Sequence, residues 1–189
     1  MSKDLFRGEL VRLVAEDPEV VAEAIYRWAP DSEYLRLADS DPCRLWSKAK
    51  TQEWVEKVLL AEKPDQYNFM IHTLADDRLI GVVGLDGIQY ANGDAFVGIG
   101  LGEREYWGKG YGTEAMKLGV RYAFLELGVQ RVSLGVHEYN PRAQKSYEKV
   151  GFRLEGRTRQ DMLREGRRTD SLWMGILREE WFEMHGGEV

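Results

Sequence analysis

Cysteine is nearly absent from this chain. Cys43 is the only one in 189 residues, so no disulfide can form within the chain. Histidine is also rare, and His72, His137 and His185 show no metal-ligand spacing. No run of about 18 uncharged apolar residues occurs, and the first residues lack the apolar core of a signal peptide. We therefore expect a cytoplasmic protein with no membrane span and no bound metal.

Basic residues are fewer than acidic ones. The chain has 26 Lys and Arg against 32 Asp and Glu, which gives a net charge of −6. Nucleic-acid-binding domains rely on a basic face, so direct nucleic-acid binding is not expected. The charge suits a cationic partner such as an amine, although it also simply favours solubility. The length and the 43% hydrophobic content predict one globular domain over residues 1–189.

Hydrophobic periodicity and turn residues predict a chain rich in both strands and helices. The predicted strands lie at 10–14, 67–74, 79–85, 95–101, 131–136, 152–163 and 169–177. The predicted helices lie at 18–28, at 51–61 with Thr51 as N-cap, at 112–127 and at 141–150, and residues 29–47 are predicted to be irregular. Early helices, an antiparallel meander, a strand–helix–strand–helix unit and a final hairpin together indicate the α+β class.

A glycine-rich loop is the sharpest local signal. Gly108, Gly110 and Gly112 alternate between a predicted strand and a predicted helix, and Lys109 adds a charge. Backbone N–H groups without neighbouring side chains can approach an anion closely, and a helix N-terminus favours negative charge. A P-loop would need Ser or Thr after the lysine, and a Rossmann loop would need glycine at Thr113. The loop therefore predicts a phosphate or pyrophosphate site of another kind, with a plain flexible turn as the alternative.

The stretch 95–113 resembles motif A of the GNAT N-acetyltransferase superfamily, Gln/Arg-x-x-Gly-x-Gly/Ala. The pattern falls on Trp107, Gly110 and Gly112, and Trp107 departs from the usual glutamine or arginine. The strand before the loop resembles the family's central strand, whose backbone lies beside the pantetheine arm of the coenzyme. The resemblance implies that acetyl-coenzyme A contacts Ile99, Gly100, Leu101, Trp107, Gly108, Lys109, Gly110, Tyr111, Gly112 and Thr113.

A second stretch, residues 140–152, resembles the family's motif B, Asn-x-x-Ala-x-x-x-Tyr-x-x-x-Gly-Phe, at every fixed position. Asn140 and Tyr147 are about two helical turns apart, so they share a face with Ala143 between them. From spacing alone, Tyr147 reads as a core aromatic and Asn140 as a plain N-cap. The resemblance implies that Asn140, Ala143 and Tyr147 also contact the coenzyme and that Tyr147 is the catalytic acid.

The resemblance covers nearly the whole chain and is strongest from 95 to 155. It implies a single GNAT-type domain with a mixed, mostly antiparallel central sheet of about seven strands flanked by helices. The branch most similar to this chain contains ribosomal-protein N-terminal acetyltransferases and spermidine acetyltransferases. A non-catalytic coenzyme A-binding protein and another nucleotide-binding module are the alternatives, and a homodimer is left open.

The reaction that the resemblance implies is direct attack of a neutral amine on the thioester, with both substrates bound. Backbone N–H groups of Ile99–Leu101 would stabilise the carbonyl oxygen, and Tyr147 would protonate the leaving sulfur. The base that deprotonates the amine is open, with Glu103, His137 and Asp86 as candidates and a water chain as the alternative.

The expected acceptor is the primary amine of a peptide or protein N-terminus, in a groove between the 29–47 region and the final hairpin. The segment 28–46 mixes aromatic and acidic side chains, which could hold a cationic amine. These side chains are Trp28, Tyr34, Trp46, Asp31, Glu33, Asp39 and Asp41. A polyamine is the alternative acceptor.

Overall fold

The structure is a computed structural model that describes residues 4–186. Its strands are β1 (Val11–Val14), β2 (Tyr67–Thr73), β3 (Leu79–Gln89), β4 (Asp94–Leu101), β5 (Arg131–His137), β6 (Arg153–Arg164) and β7 (Arg167–Leu177). Its α-helices are α1 (Pro18–Trp28), α2 (Ser32–Ala38), α3 (Lys48–Trp54), α4 (Tyr111–Leu125), α5 (Pro141–Val150) and α6 (Arg178–Met184). Over the described residues the strands form one seven-stranded sheet in the order β1-β2-β3-β4-β5-β7-β6. No helix in this range is long and apolar enough to cross a membrane.

The sheet opens between β4 and β5. The other neighbouring strands pair antiparallel, whereas β4 and β5 run parallel. Among the described residues, their pairing is confined to Asp94–Phe96 with Arg131–Ser133. Since β3 stays paired with β4 as far as Leu101, the second half of β4 has a strand on one side only. Backbone groups on its other side therefore face a gap that a ligand can enter.

Helices cover both faces of the sheet. Met116, Val120 and Phe124 of α4 are completely buried and share one hydrophobic cluster with Ile71 of β2. Met70, the neighbour of Ile71, belongs to a second cluster together with α1. Because successive side chains of a strand point to opposite faces, α4 and α1 lie on opposite sides of the sheet.

The predicted mixed, mostly antiparallel sheet of seven strands and its α+β class are confirmed. Helix α5 also has the predicted ends. The side chain of Asn140 accepts the N–H of Ala143, and Gly151 ends the helix in the left-handed conformation at a φ of 113°. Strand β3 is longer than predicted, since it runs to Gln89 instead of Leu85.

The prediction of an irregular segment at 29–47 is wrong for part of its length, because it contains α2. The carboxylate of Asp31 accepts the N–H groups of Glu33 and Tyr34 at 3.1 Å each and so caps this short helix. A helix of seven residues carries too little periodicity to be recognised in the sequence. Helix α6 was not predicted for the same reason.

The predicted helix at 51–61 is misplaced. It begins at Lys48, because Ser47 is the N-cap and accepts a backbone N–H. Thr51 instead lies inside the helix, buried, with its hydroxyl donating to the carbonyl of Ser47 at 3.1 Å. After α3 the chain continues as a π-helical turn, Val55–Leu59, and stops before the predicted end.

Candidate active site

Two cavities meet at the second half of β4 in the described part of the chain. One has a volume of 290 Å³ and the other 460 Å³. They share Tyr34 and Ala38 from α2, and Ile99 and Gly100 from β4. The strand segment beside the gap is thus a common wall between two separate spaces.

The smaller space is called the basic cavity, because its charged lining residues, Arg142, Lys145 and Lys149, are all basic. They stand three and four residues apart on α5 and so form one stripe of the helix. Its full lining is Tyr34, Leu37, Ala38, Ile99, Gly100, Leu101, Trp107, Gly108, Gly110, Gly112, Thr113, Asn140, Arg142, Ala143, Lys145, Ser146, Tyr147 and Lys149. A cavity with this charge suits an anionic ligand.

The glycine loop forms one end of the basic cavity. Gly108 and Gly110 have φ angles of 73° and 96°, a region in which a residue with a side chain is strained. Gly110 directly precedes α4, a helix of 15 residues. The unpaired N–H groups and the partial positive charge of the helix N-terminus therefore lie at the cavity, as an anion site requires.

The loop is held in place by the protein itself. The carboxylate of Glu114, in the first turn of α4, accepts the backbone N–H groups of Glu9, Leu10 and Val11 at 2.9, 2.7 and 2.8 Å. These bonds join the start of α4 to the segment leading into β1. They fix the start of α4, and with it the glycine loop, relative to β1.

Trp107 occupies the position where the motif usually has glutamine or arginine. Its indole N–H donates to the carbonyl of Leu101 at 2.8 Å, which fixes the ring against the end of β4. The guanidinium carbon of Arg142 lies 3.8 Å from the centre of the ring, and that of Arg104 lies 4.9 Å away. Both guanidinium groups lie over the indole ring, but Arg104 is paired with Asp31 and Glu33, and only Arg142 lines the basic cavity.

Helix α5 brings the other motif to the same cavity. Asn140, Ala143 and Tyr147 line it, and their contact with the coenzyme stays a prediction. The hydroxyl of Thr113 on α4 lies 2.7 Å from that of Ser146 on α5, so a hydrogen bond joins the two helices. Only 8% of Tyr147 is exposed, and burial raises the pKa of its phenol to about 12. Its hydroxyl has no hydrogen-bond partner among the described residues.

The larger space is called the acidic cavity. Its acidic lining residues are Asp39, Asp41 and Asp86, against the single basic residue Arg44, and Tyr34, Trp46 and Trp54 supply aromatic rings. The remaining lining is Ile25, Ala29, Leu35, Ala38, Pro42, Cys43, Thr51, Leu59, Gln66, Asn68, Val82, Gly84, Gly98, Ile99 and Gly100. Carboxylates together with aromatic faces suit a cationic ligand.

Three glycines lie in one wall of the acidic cavity. Gly84 of β3 lies directly opposite Gly98 of β4, and Gly100 follows two residues later on the same face. The side chain of Asn68 covers Gly84, and Tyr34 lies over Gly100. The wall is therefore open at Gly98, where an added methyl group would meet no atom within 4 Å.

The candidate bases differ in their surroundings. Glu103 binds the guanidinium groups of Arg27 and Arg78 at 2.8 Å each and accepts the indole N–H of Trp28 at 2.9 Å. It lines neither cavity, and neither does His137. Asp86 does line the acidic cavity, so it alone of these candidates can face a ligand there.

The electrostatics of Asp86 favour a base. Desolvation by the surrounding wall, with a smaller contribution from the charge of Asp65, raises the pKa of the Asp86 carboxyl, although the residue as a whole stays exposed.

No group of three His, Cys, Asp or Glu side chains among residues 4–186 could hold a metal ion.

Part of the predicted acceptor region lies elsewhere. Tyr34, Trp46, Asp39 and Asp41 line the acidic cavity as expected. The other three do not, because they stabilise the scaffold: Trp28 is buried, Asp31 caps α2, and both Asp31 and Glu33 bind Arg104.

The final hairpin does not line the acidic cavity either. Its tip contacts the outside of the 29–47 region, where Arg164 donates to the carbonyl oxygens of Asp39 and Asp41 at 2.7 and 3.3 Å. The expected groove between the two is thus replaced by a cavity between the 29–47 region and strands β3 and β4.

Two residues predicted to bind the coenzyme, Lys109 and Tyr111, do not line the basic cavity. The side chain of Lys109 is exposed, and the ring of Tyr111 packs on Tyr106 with centres 5.0 Å apart. A role for their backbone N–H groups remains a prediction. Sequence reasoning missed the basic stripe on α5, although the spacing of Arg142, Lys145 and Lys149 could have revealed it.

Comparisons with known proteins agree with this architecture. The family profile described as Acetyltransferase (GNAT) domain matches residues 7–153. The uncharacterized N-acetyltransferase YokL, derived from the SPbeta prophage of Bacillus subtilis, is 30% identical over 188 residues, which cover 98% of this chain and all of YokL. YdaF of the same species carries the provisional name of a ribosomal N-acetyltransferase. It is 31% identical over 108 residues, which cover 57% of this chain and 58% of YdaF.

A solved structure has the same fold. The spermidine N-acetyltransferase from Vibrio cholerae, crystallised with CoA and spermine, superposes with a TM-score of 0.79 at 24% identity. The match covers 91% of this chain and 98% of that one. The seven-stranded sheet, open between β4 and β5, is therefore an architecture known from acetyltransferases.

Proposed function

This chain belongs to the GNAT acetyltransferase family, and from that premise we propose that it transfers the acetyl group of acetyl-coenzyme A to a primary amine. The proposed amine is the N-terminus of a peptide or protein. A cytoplasmic location is part of the proposal, since Cys43 is a free, exposed thiol and no described helix could span a membrane.

The observation that carries the proposal is the meeting of two oppositely charged cavities. The basic cavity offers Arg142, Lys145 and Lys149 to an anion, and the acidic cavity offers Asp39 and Asp86 to a cation. Acetyl-coenzyme A is an anion and an amine is a cation at neutral pH. A reaction that joins these two substrates needs such a pair of sites with a common wall.

The charge and the backbone groups of the basic cavity suit the coenzyme. The N–H groups after Gly108 and Gly110 and the N-terminus of α4 would hold the pyrophosphate. A side chain at Gly110 would be strained and would meet Leu10 at 3.4 Å. Beyond Phe96 the free side of β4 offers hydrogen-bonding groups to an extended, amide-containing arm.

The chemistry then takes place along the shared wall. Tyr147 keeps its proton at neutral pH, because burial raises its pKa to about 12, and the proposed role of its hydroxyl is to donate that proton to the departing sulfur. Backbone N–H groups of Ile99–Leu101 would donate hydrogen bonds to the carbonyl oxygen, on which negative charge develops. Asp86 is the proposed base on the amine side, directly or through water.

A peptide is favoured over a polyamine by the open wall at Gly98, where an added methyl group would meet no atom within 4 Å. A peptide carries side chains and carbonyl groups along its length and needs this room beside the strand. The name of YdaF is consistent with the same acceptor class. Spermidine is the second candidate, because Asp39, Asp41 and Asp86 in one cavity could bind more than one ammonium group.

Release of free coenzyme A thiol, measured with acetyl-coenzyme A and a panel of amines, tests the proposal. A peptide that begins with Ser or Ala is expected to have a higher kcat/KM than spermidine in direct competition. The same peptide with an acetylated N-terminus is the control and should give no release. A higher kcat/KM for spermidine would assign the acidic cavity to polyamines, and no release with any amine would contradict the proposed activity.

A further inference from the structure

Tyr34 occupies a distinctive position in this site. Of the residues that line both cavities, Ala38, Ile99 and Gly100 have no polar side-chain group. Tyr34 is thus the one polar side chain in the described chain that reaches both spaces. Its position between them is where an amine from one cavity would meet an acyl group in the other.

The backbone and ring of Tyr34 are firmly held. Its N–H donates to Asp31, the cap of α2, at 3.1 Å. Asp31 is in turn bound by Arg104. The ring packs edge-on against that of Trp28, with centres 6.1 Å apart. Such a fixed ring gives the hydroxyl a defined position.

The hydroxyl itself is free. Among residues 4–186 it has no hydrogen-bond partner, although the aromatic ring of Tyr34 packs against Trp28. It lies close to the strand backbone, since a methyl group added to Gly100 would be 3.1 Å from it. Tyr34 is only partly buried and lines both cavities, so a ligand group in either space can hydrogen-bond to its hydroxyl.

We propose that Tyr34 is a catalytic residue on the acceptor side, whose hydroxyl oxygen accepts a hydrogen bond from the amine N–H and directs the nitrogen lone pair at the thioester carbon. This role rests on the proposed function and adds a residue that lies outside both sequence motifs. No proton changes hands in this contact, so Tyr147 remains the acid.

A neutral phenol is needed for this contact, since a phenolate would bind an ammonium ion and hold it protonated. Burial, aided by the charge of Asp31, raises the pKa of Tyr34 to about 12. Tyr34 therefore keeps its hydroxyl proton throughout the range in which amines lose theirs.

The first test replaces Tyr34 with phenylalanine, which removes the hydroxyl and keeps the ring. Loss of amine orientation should lower kcat about tenfold to a hundredfold. The KM for acetyl-coenzyme A and the slow hydrolysis of acetyl-coenzyme A without amine should both stay within about twofold of wild type. Tyr139→Phe is the matched control. The Tyr139 hydroxyl donates to the carbonyl of Arg36 at 2.8 Å, and Arg36 lies in α2, the helix that contains Tyr34. Tyr139 itself lines neither cavity. Tyr139→Phe should lower the melting temperature without lowering kcat.

A second test moves the hydroxyl instead of removing it. The new methyl group of Gly100→Ala would press on the Tyr34 hydroxyl, whereas that of Gly98→Ala would meet no atom within 4 Å. Both changes narrow the same wall, so the comparison isolates the effect on Tyr34. Gly100→Ala should lower kcat with the amine more than Gly98→Ala does, and the excess should disappear when Tyr34 is already phenylalanine.

The outcomes separate the two proposals. If wild type transfers acetyl to an amine but Tyr34→Phe keeps kcat within about twofold, the role of Tyr34 is wrong and the proposed function stands. A rise in KM for acetyl-coenzyme A as large as the loss in kcat would also overturn the role of Tyr34 on the acceptor side, since Tyr34 would then serve coenzyme binding. If wild type acts on no amine, the proposed function fails, and the role of Tyr34 fails with it.

Discussion

The two cavities are built in different ways. Apart from α2, the basic cavity is formed by residues between Ile99 and Lys149, mostly the glycine loop and one face of α5. The acidic cavity draws on α1, α2, the segment after it, α3 and strands β2, β3 and β4. An anion site of this kind depends on backbone N–H groups and glycines at fixed spacing, so it leaves a compact sequence pattern. A cation site needs only carboxylates and aromatic faces, which distant segments can supply.

Gly110→Glu should have the largest effect, because it attacks the basic cavity at its anion site. The new carboxylate would stand where the pyrophosphate is proposed to bind, and placing like charges together costs several kcal/mol. We expect affinity for acetyl-coenzyme A to fall about a thousandfold or more. Isothermal titration and thermal melts with acetyl-coenzyme A measure this loss.

Gly110→Ala is the matched control for that prediction. It introduces the same backbone strain at a φ of 96° without the charge. Both variants should show a similar loss of stability without ligand, and alanine should keep most of the binding. Unchanged coenzyme affinity in Gly110→Glu would mean that the loop is not the anion site.

Tyr147→Phe should have the next largest effect, on chemistry instead of binding. A positioned general acid typically contributes about a hundredfold or more, so kcat should fall by about that factor. Coenzyme affinity should change little, because the buried ring remains. If turnover is within about threefold of wild type at every pH, Tyr147 is not the acid that this chemistry requires.

Asp86→Asn tests the acidic cavity. The ionised carboxylate is the active form of a base, and the pKa of Asp86 is raised, so activity should fall as the pH drops through a pKa higher than that of an ordinary Asp carboxyl. The variant should lose this acidic limb and about tenfold or more of kcat/KM for the amine. Coenzyme affinity should not change.

Asp65→Asn separates a base from a simple amine-binding group. The charge of Asp65 contributes to the raised pKa of Asp86, so its removal should move the acidic limb to lower pH while kcat at the plateau is kept. If the acidic limb of the pH profile stays at the same pH in Asp86→Asn and in Asp65→Asn, Asp86 does not titrate in the reaction.

The sequence revealed the two kinds of site unequally, and for a physical reason. The glycine loop and the motif around Asn140 and Tyr147 are local patterns, so they predicted one wall of the basic cavity. The acidic cavity depends on how α2 folds back over β4, and α2 is too short to be recognised by periodicity. The acidic residues Asp31 and Glu33 were therefore assigned to a ligand, although they stabilise α2 through Arg104.

Arg142→Ala tests whether the stack on Trp107 replaces the side chain that the motif lacks. Hydrogen bonds to charged groups contribute about 1.5–3 kcal/mol, so affinity for acetyl-coenzyme A should fall about tenfold. Arg44→Ala removes a cation from the acidic cavity instead and should leave that affinity unchanged. Equal losses in the two variants would mean that general charge, and not the stack, attracts the coenzyme.

The smallest expected effect concerns the two buried phenols, Tyr147 in the basic cavity and Tyr34 between the cavities. Each has a pKa raised to about 12, against about 10 in an unfolded chain. Below pH 10 both states keep the proton. Between pH 10 and 12 only the unfolded chain loses it, so the stabilising contribution is full below pH 10 and is lost as the pH rises.

Urea unfolding at pH 9 and pH 11 measures this loss. Over this interval the free energy of unfolding of Tyr147→Phe should fall by about 1 kcal/mol less than that of wild type. An equal loss in Tyr147→Phe would show that its phenol ionises as readily in the folded chain as in water and that burial does not raise its pKa.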